Sequence, residues 1–245
     1  MEDQIFISER VTRIIEEHRP EGSFAAQTLD FVRKVLEPES VGTVCRTGRE
    51  LKRYDMQYRY DHSLRVAAIG RRIAREEGLP EEPLVIGCLL HDVGYPECAS
   101  FEELNRHSEL GAEIARRFFE RIGYDAELSR SICKAILIHD KEPYADEDAT
   151  VFERSVRDAD DIDRSDAMRL CIRGYHDIGE CAAWETRDIC RKRLEQLAGE
   201  KDRLCATGAA KRLWLENLQL QESFYRKLLV QMGLTEELED FGSKN

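Results

Sequence analysis

A chain of 245 residues, 42% of them hydrophobic, is long enough to bury a proper core as one large domain or two small ones. Its 49 acidic residues outnumber 37 basic ones, and the formal charge of −12 gives no support for broad electrostatic attachment to DNA, RNA or an anionic membrane. Six prolines and fifteen glycines, with no low-complexity linker or repeat, favour compact helical packing and a single domain over residues 1–245.

The opening segment, MEDQIFISERV, lacks the basic and apolar regions of a signal peptide, and no run approaches membrane-spanning length. Eight cysteines are scattered without a C-x-x-C pair, several within apolar helical stripes where a thiol packs as a small hydrophobe. The expectation is a soluble cytoplasmic protein with reduced cysteines.

In chain order, apolar residues three and four apart predict helices over Ile5 to His18 and Phe24 to Leu36. Pro38 to Glu50, with Gly42 and Gly48, reads as a loop without a metal or phosphate signature. From about Gln57 a helix places His62, Val66, Ile69 and Ile73 along one face and ends at Gly78 and Pro80. His62 on such a face is ordinarily a core histidine. The next helix carries Leu84, Val85, Cys88 and Leu89 and has Pro83 in its first turn. It stops at His91-Asp92, just before Gly94 and Pro96. A neutral imidazole beside a carboxylate offers a divalent metal a nitrogen and an oxygen ligand. The plainer reading of that pair is a helix C-cap.

Ser100-Phe101-Glu102-Glu103 fits a capping box for a helix running to Gly123, with a break possible before His107. His107, Gly111, Ile114, Ala115 and Phe118 share its face, and Gly111 would admit a close backbone approach. A helix from about Asp125 to Ile138 aligns Leu128, Ile132, Ala135, Ile136 and His139. After the acidic loop Glu142 to Asp148, Thr150-Val151-Phe152-Glu153 gives a second capping box. On the helix it opens, Asp160 and Asp163 fall near the Phe152 and Val156 side, whereas Asp158 and Asp161 point away. Helical pattern continues to about Gly174. A long charged helix then runs through Leu194, Leu197 and Leu204, and a last one spans Ala209 to Met232 with Trp214, Leu218, Tyr225 and Leu229 on one side. These final helices read as a hairpin packed on the core, with cleft-covering and dimer-forming roles as alternatives.

Four of the six histidines thus lie on or at the end of apolar faces of successive helices, with Asp160 on the next. Separate burial of each imidazole would need its own hydrogen-bond partner, at about 1–3 kcal/mol if unmet. One shared metal site accounts for all of them.

The ordered pattern His62, His91-Asp92, Asp160 resembles the HD-domain superfamily of metal-dependent phosphohydrolases. Its marks are HSLRVA at His62, LLHDVG at His91, NRHSELGAEIA at His107, AILIHD at His139 and DADDID around Asp160, within about Tyr58 to Gly174. The resemblance implies an all-α HD-domain helical bundle, its core over about 57–174, with additional N-terminal helices over 1–50 and a C-terminal hairpin over 178–233. It implies metal ligation by His62, His91, Asp92 and Asp160, with His107 and His139 matching the positions that bind a second ion and Asp92 bridging. The implied activity is hydrolysis of a small phosphate ester or nucleotide by metal-activated water. Asp92 would be the catalytic carboxylate, and Arg65, one turn beyond His62, would hold phosphate oxygens, with a surface ion pair as its alternative role. The imidazole-rich ligand set suits two ions of iron, manganese or zinc. The implied partner is a small phosphorylated substrate, with no nucleic acid polymer and no membrane, and a homo-oligomer is compatible.

Tyr95 stands where the cyclic-di-GMP phosphodiesterase branch has lysine, and Asp140 where that branch has histidine beside His139. The acidic pair that follows HD in the alarmone hydrolases is missing too, so neither specialised substrate is expected. A small branch of the superfamily uses the same ligand order to hold two irons and activate oxygen, which makes a diiron oxygenase acting on an organic or phosphonate substrate the alternative. A third reading is a degenerate module that only binds a nucleotide or partner.

Overall fold

In the computed structural model, residues 5–37, 45–46, 49–50, 53–98, 103–142, 145–174, 178 and 181–243 are described. Among these residues the chain is all-α apart from a two-residue antiparallel ladder between β1 (Cys45–Arg46) and β2 (Arg49–Glu50). Among the described residues, no helix is long and apolar enough to cross a membrane. Two compact units are distinguished, residues 1–160 and 161–245.

Unit 1 opens with α1 (Glu9–Glu17) and α2 (Phe24–Val35). The first is shorter than its apolar pattern suggested because Ser8 caps it: the Ser8 hydroxyl accepts from the Val11 amide, while Ser8 N and Oγ both donate to the Glu97 carboxylate. The ladder precedes the long α3 (Arg53–Glu77), followed by α4 (Glu81–Leu90). Single 3-10 turns at Tyr95–Glu97 and Glu103–Arg106 lead into α5 (His107–Ile122), so the helix breaks just before His107. Then come α6 (Ala126–Ile138) and α7 (Val151–Asp163). Much of the predicted loop over Pro38 to Glu50, and Ser100 to Glu102 of the first capping box, lie outside the described residues.

Local chemistry explains the boundaries. Gly78 and Gly123, at φ of 68° and 67°, adopt the left-handed conformation that ends α3 and α5. Asp125 accepts from the amides of Glu127 and Leu128 at the start of α6. The capping box of α7 is reciprocal, with the Thr150 amide donating to Glu153 Oε2 at 2.8 Å and the Glu153 amide donating to Thr150 Oγ1 at 3.2 Å.

The core of unit 1 joins the predicted stripes. Helix α3 packs on α4, α5 on α6, α2 and α6 on α4, and α1 on α2 and α5. Val11, Phe31, Val32, Val66, Ile73, Leu84, Leu90, Ile114, Phe118, Ile132, Ile136 and Val156 are buried there, and Phe31 stacks on Phe118 with ring centroids 4.1 Å apart. Cys88 and Cys98 are buried with them.

Unit 2 takes over in the last turn of α7 and holds α8 (Ala167–Arg173), α9 (Ala183–Glu200) and α10 (Gly208–Ser243). The hairpin of α9 and α10 is present, although Leu204 falls between them and α10 runs well past Met232. Leu197, Leu213, Leu218 and Tyr225 are buried, Trp214 Nε1 donates to the Glu200 carbonyl, and Asn217 and Gln221 donate to the carbonyls of Ile162 and Ser165.

One facing expectation fails. Asp158, read as pointing away, is only 3% exposed, as buried as Asp160 at 4% and Asp163 at 3%. The apolar stripe sets a single phase for α7, but Glu153, Ser155, Val156, Ala159 and Ile162 are buried too, so the helix is enclosed around more of its circumference than that stripe.

Candidate metal centre

Helix ends and inward faces bring the candidate ligands together. His62 comes from the middle of α3, His91 and Asp92 from the turn closing α4, His107 from the first position of α5, His139 from the residue after α6, and Asp160 from α7. All six are buried.

They form two linked groups. His62 Nε2 lies 3.2 Å from His91 Nε2 and 3.0 Å from Asp160 Oδ1, and Asp92 Oδ2 lies 3.7 Å from His62 Nε2 and 3.5 Å from His91 Nε2. On the other side, His107 Nε2 lies 3.2 Å from His139 Nε2, and Asp92 Oδ1 is 3.6 and 3.7 Å from those two nitrogens. The two oxygens of one carboxylate therefore face two different sets of imidazoles. Three overlapping triads have donor atoms within 4.8 Å of one another: His62, His91 and Asp92; His91, His139 and Asp160; and Asp92, His107 and His139.

The imidazoles are held as ligands need to be. His91, His107 and His139 each direct Nδ1 at the carbonyl three residues earlier, that of Cys88 at 2.8 Å, Leu104 at 2.7 Å and Ile136 at 2.6 Å. That contact assigns the proton to Nδ1 and leaves Nε2 with its lone pair facing inward. In the His107 and His139 pair, two acceptor nitrogens then face each other at 3.2 Å with a carboxylate oxygen alongside. Such an arrangement is repulsive by itself and favourable around a cation, so the donor set fits a metal on its own geometry. Burial pushes His91 down to about 4 and lowers His107, which keeps both imidazoles neutral. For His139 burial is outweighed by the adjacent Asp92 carboxylate, and its pKa rises. Burial would raise the Asp92 carboxyl, but His91, Arg59, His139 and His62 around it hold it well below the usual carboxylate range.

Sequence reasoning missed Arg59. Its Nη1 donates to Asp92 Oδ2 at 2.7 Å, and its guanidinium lies 3.7 Å from the centroid of Tyr95, whose ring is in turn 4.3 Å from that of His107. Burial opposes the charge on Arg59, but the attraction of Asp92 prevails and its pKa rises. The available signal was spacing, since Arg59 stands three residues before His62 on the same helix and so shares its face. The sequence reading chose Arg65, three residues after. Arg65 is half-buried, with its guanidinium 5.7 Å from the Tyr58 ring, and Tyr58 stacks on His62 at 5.9 Å. Asp140 is a second missed neighbour, with Oδ2 3.7 Å from His107 Nδ1. Asp163, on the same face as Asp160, is buried but belongs to none of the triads, and His18, outside the set of four histidines, sits among Phe31 and Phe118.

Gly94 sets how closely the HD turn approaches α5. An ideal Cβ placed on it would fall inside the contact envelope of the His107 carbonyl oxygen and 2.5 Å from Gly111 N. Gly111 meets the turn from the other side, with its own ideal Cβ 3.4 Å from Gly94 N and 3.5 Å from the His91 carbonyl oxygen. The close approach read from Gly111 is therefore present.

Parts of this chain are similar to known proteins. A stretch of 117 residues is 34% identical to ribonuclease Y of Pseudothermotoga lettingae, covering 47% of this chain and 20% of that one. Ribonuclease Y of Thermosipho melanesiensis is 33% identical over the same length, and that of Mycoplasma mycoides is 44% identical over 59 residues, 24% of this chain and 14% of that protein. The chain thus spans about a fifth or less of the length of these curated relatives. A crystal structure of a predicted HD superfamily hydrolase from an uncultured Thermotogales bacterium shares the fold, with a TM-score of 0.54 and 18% identity over 84% of this chain and 91% of that one. The family model of the HD domain matches residues 59–168, which include every one of the six clustered candidate ligands. Through that segment, this chain is similar to the HD-domain family.

Proposed function

We propose that the chain is a metal-dependent phosphohydrolase acting on a small phosphate ester or nucleotide. The observation that carries this reading is the division of Asp92, one oxygen toward His62 and His91 and the other toward His107 and His139. That division suits two divalent ions, one held by His62, His91, Asp92 and Asp160 and the other by Asp92, His107 and His139. Bound there, such ions supply an acidified water and polarise a phosphoryl oxygen.

The chain's own residues do the rest. Asp92, kept ionised by its surroundings, bridges the two ligand sets and can accept a proton from water. The Nδ1 contacts of His91, His107 and His139 lock the rings with Nε2 inward, so little reorganisation accompanies loading. Arg59 adds fixed positive charge at the Asp92 edge and is the better placed arginine for phosphate oxygens, with Arg65 retained as a more distant candidate.

The net charge of −12 favours a small substrate over a polyanionic polymer. The ribonuclease Y relatives favour a second substrate class, the phosphodiester of RNA, and the partial coverage leaves it as a proposal.

Metal analysis followed by a phosphate-release screen over nucleotides, phosphate esters and short RNA oligonucleotides tests both. Asp92→Asn keeps the side chain's size but weakens bridging and removes the base, so turnover should fall by about 10³-fold or more. Metal-loaded protein that hydrolyses none of these compounds, yet consumes oxygen with an organic substrate when loaded with iron, would replace the hydrolase reading with the diiron oxygenase.

A further inference from the structure

A second concave site lies in unit 1 where α6, α7 and residues 141–142 and 145–149 line a cavity of about 360 Å³, and none of the six candidate ligands lines it. Its α6 wall is a stripe that sequence reading left aside. Lys134, Leu137 and Ile138 of α6, with Lys141 just beyond its end, stand at positions i, i+3, i+4 and i+7, beside the inward stripe that ends at His139. Ala149 continues the apolar floor, and Arg154 and Arg157 of α7 close the far side.

Two features point to a ligand. Four cationic side chains, Lys134, Lys141, Arg154 and Arg157, line an apolar floor with two acids, Glu142 and Asp146, and Lys134 pairs with Asp146 at 3.3 Å and with Glu153 at 3.6 Å, on a chain that is strongly acidic overall. Low-dielectric walls focus such a local positive field and raise the concentration of anions within it. The arginines are also fixed in place: Arg154 Nη2 donates to the carbonyls of Asp146 at 2.9 Å and Glu147 at 3.2 Å, and Arg157 Nη1 donates to the Lys141 carbonyl. A guanidinium held this way gives up little freedom on binding.

The volume lies in the range of small-molecule sites and far exceeds the voids that close packing leaves. Water over Leu137, Ile138 and Ala149 finds few polar partners, so an apolar body displaces it favourably. We infer that this cavity binds a small organic anion, an apolar body carrying one carboxylate or phosphate monoester group, at a site separate from the metal centre.

The test uses the full chain and two fluorescent probes of matched shape, anilinonaphthalene sulfonate and the uncharged phenylnaphthylamine. The sulfonate should bind with one-to-one stoichiometry and roughly tenfold more tightly than the neutral probe. Ala149→Trp fills the floor and should weaken it by about tenfold or more, whereas the exposed Lys141→Met removes one charge and should weaken it by about threefold. Octanoate should displace the probe, and inorganic phosphate at the same concentration should not. Equal affinity for the two probes overturns the anion requirement, and displacement by phosphate as effective as that by octanoate overturns the apolar one. Unchanged binding in folded Ala149→Trp places the probe elsewhere and overturns the site. If Ala149→Trp does not fold, as circular dichroism would show, Lys141→Met and the probe comparison decide the matter, and wild-type affinity for the sulfonate in Lys141→Met refutes the proposal.

Discussion

Gly94→Ala probes the contact that couples the HD turn to the helix carrying His107. Backbone conformation is not the obstacle, because Gly94 has φ of −80° and ψ of −12°, open to any residue. The obstacle is space. The new Cβ would meet the His107 carbonyl oxygen and, at 2.5 Å, Gly111 N, both main-chain atoms that cannot rotate aside. Ordinary contact needs about 1 Å more, so the start of α5 must move by a comparable amount. Overpacking of this kind costs about 1–3 kcal/mol, equivalent to a fall in Tm of about 2–4 °C per kcal/mol for a chain this size. The displacement acts on His107, in the Asp92, His107 and His139 triad, before it reaches His62 and Asp160. The variant should therefore fold, melt several degrees lower, and bind about one metal where the proposed wild-type site would hold two. Gly111→Ala is the control: its Cβ would stand 3.3 Å from Ile136 Cγ2 and 3.4 Å from Gly94 N, a misfit of a few tenths of an ångström. An alanine in mid-helix recovers roughly 0.5–1 kcal/mol, so that variant should remain near wild type. Elemental analysis after metal loading, with thermal melts, measures both. Wild-type stoichiometry and Tm in Gly94→Ala would refute the steric reasoning.

His107→Ala and His139→Ala should each lower metal stoichiometry while far-ultraviolet circular dichroism stays native; full metal and activity in both would make the site mononuclear. Arg59→Met leaves the buried Asp92 without its guanidinium, which should destabilise the metal-free protein by about 3 kcal/mol and the metal-loaded protein much less, as urea midpoints with and without metal would reveal. His18, packed among Phe31 and Phe118 near Gln27, Asp30, Lys34 and Arg121, has its pKa lowered, chiefly by burial and then by Lys34, with Asp30 opposing. The unfolded chain therefore takes up that proton more readily than the folded one. Stability from neutral His18 is complete above the ordinary histidine pKa of about 6.5 and declines as pH falls below it. His18→Gln should accordingly lose less stability than wild type between neutral and mildly acid pH, and identical slopes for the two proteins would contradict the assignment.

How much was legible in the chain follows the range of the forces involved. Helix propensity, apolar periodicity and capping act over a few residues, so α2, α4, α6 and the Thr150 box of α7 stand close to where their residues place them. The same periodicity put His62, His107 and His139 on inward faces or at their ends. It also marked Asp160, and resemblance joined these residues to His91 and Asp92. Contacts between helices were beyond local pattern. Only the packing of α3 on α4 brings Arg59 onto Asp92, thirty-three residues away. Only the meeting of Gly94 with Gly111 shows which glycine is sterically required. Asp158 is buried because α7 is enclosed beyond its apolar stripe, which a single helical phase cannot express. The cationic cavity has the same origin: Lys134, Lys141, Arg154 and Arg157 carry no local pattern that groups them, and they line one cavity only through the way α6, α7 and the described residues between them pack. Residue pattern determined which side chains were available for chemistry, whereas tertiary packing decided which atoms of each face one another, because that depends on distances no local preference sets.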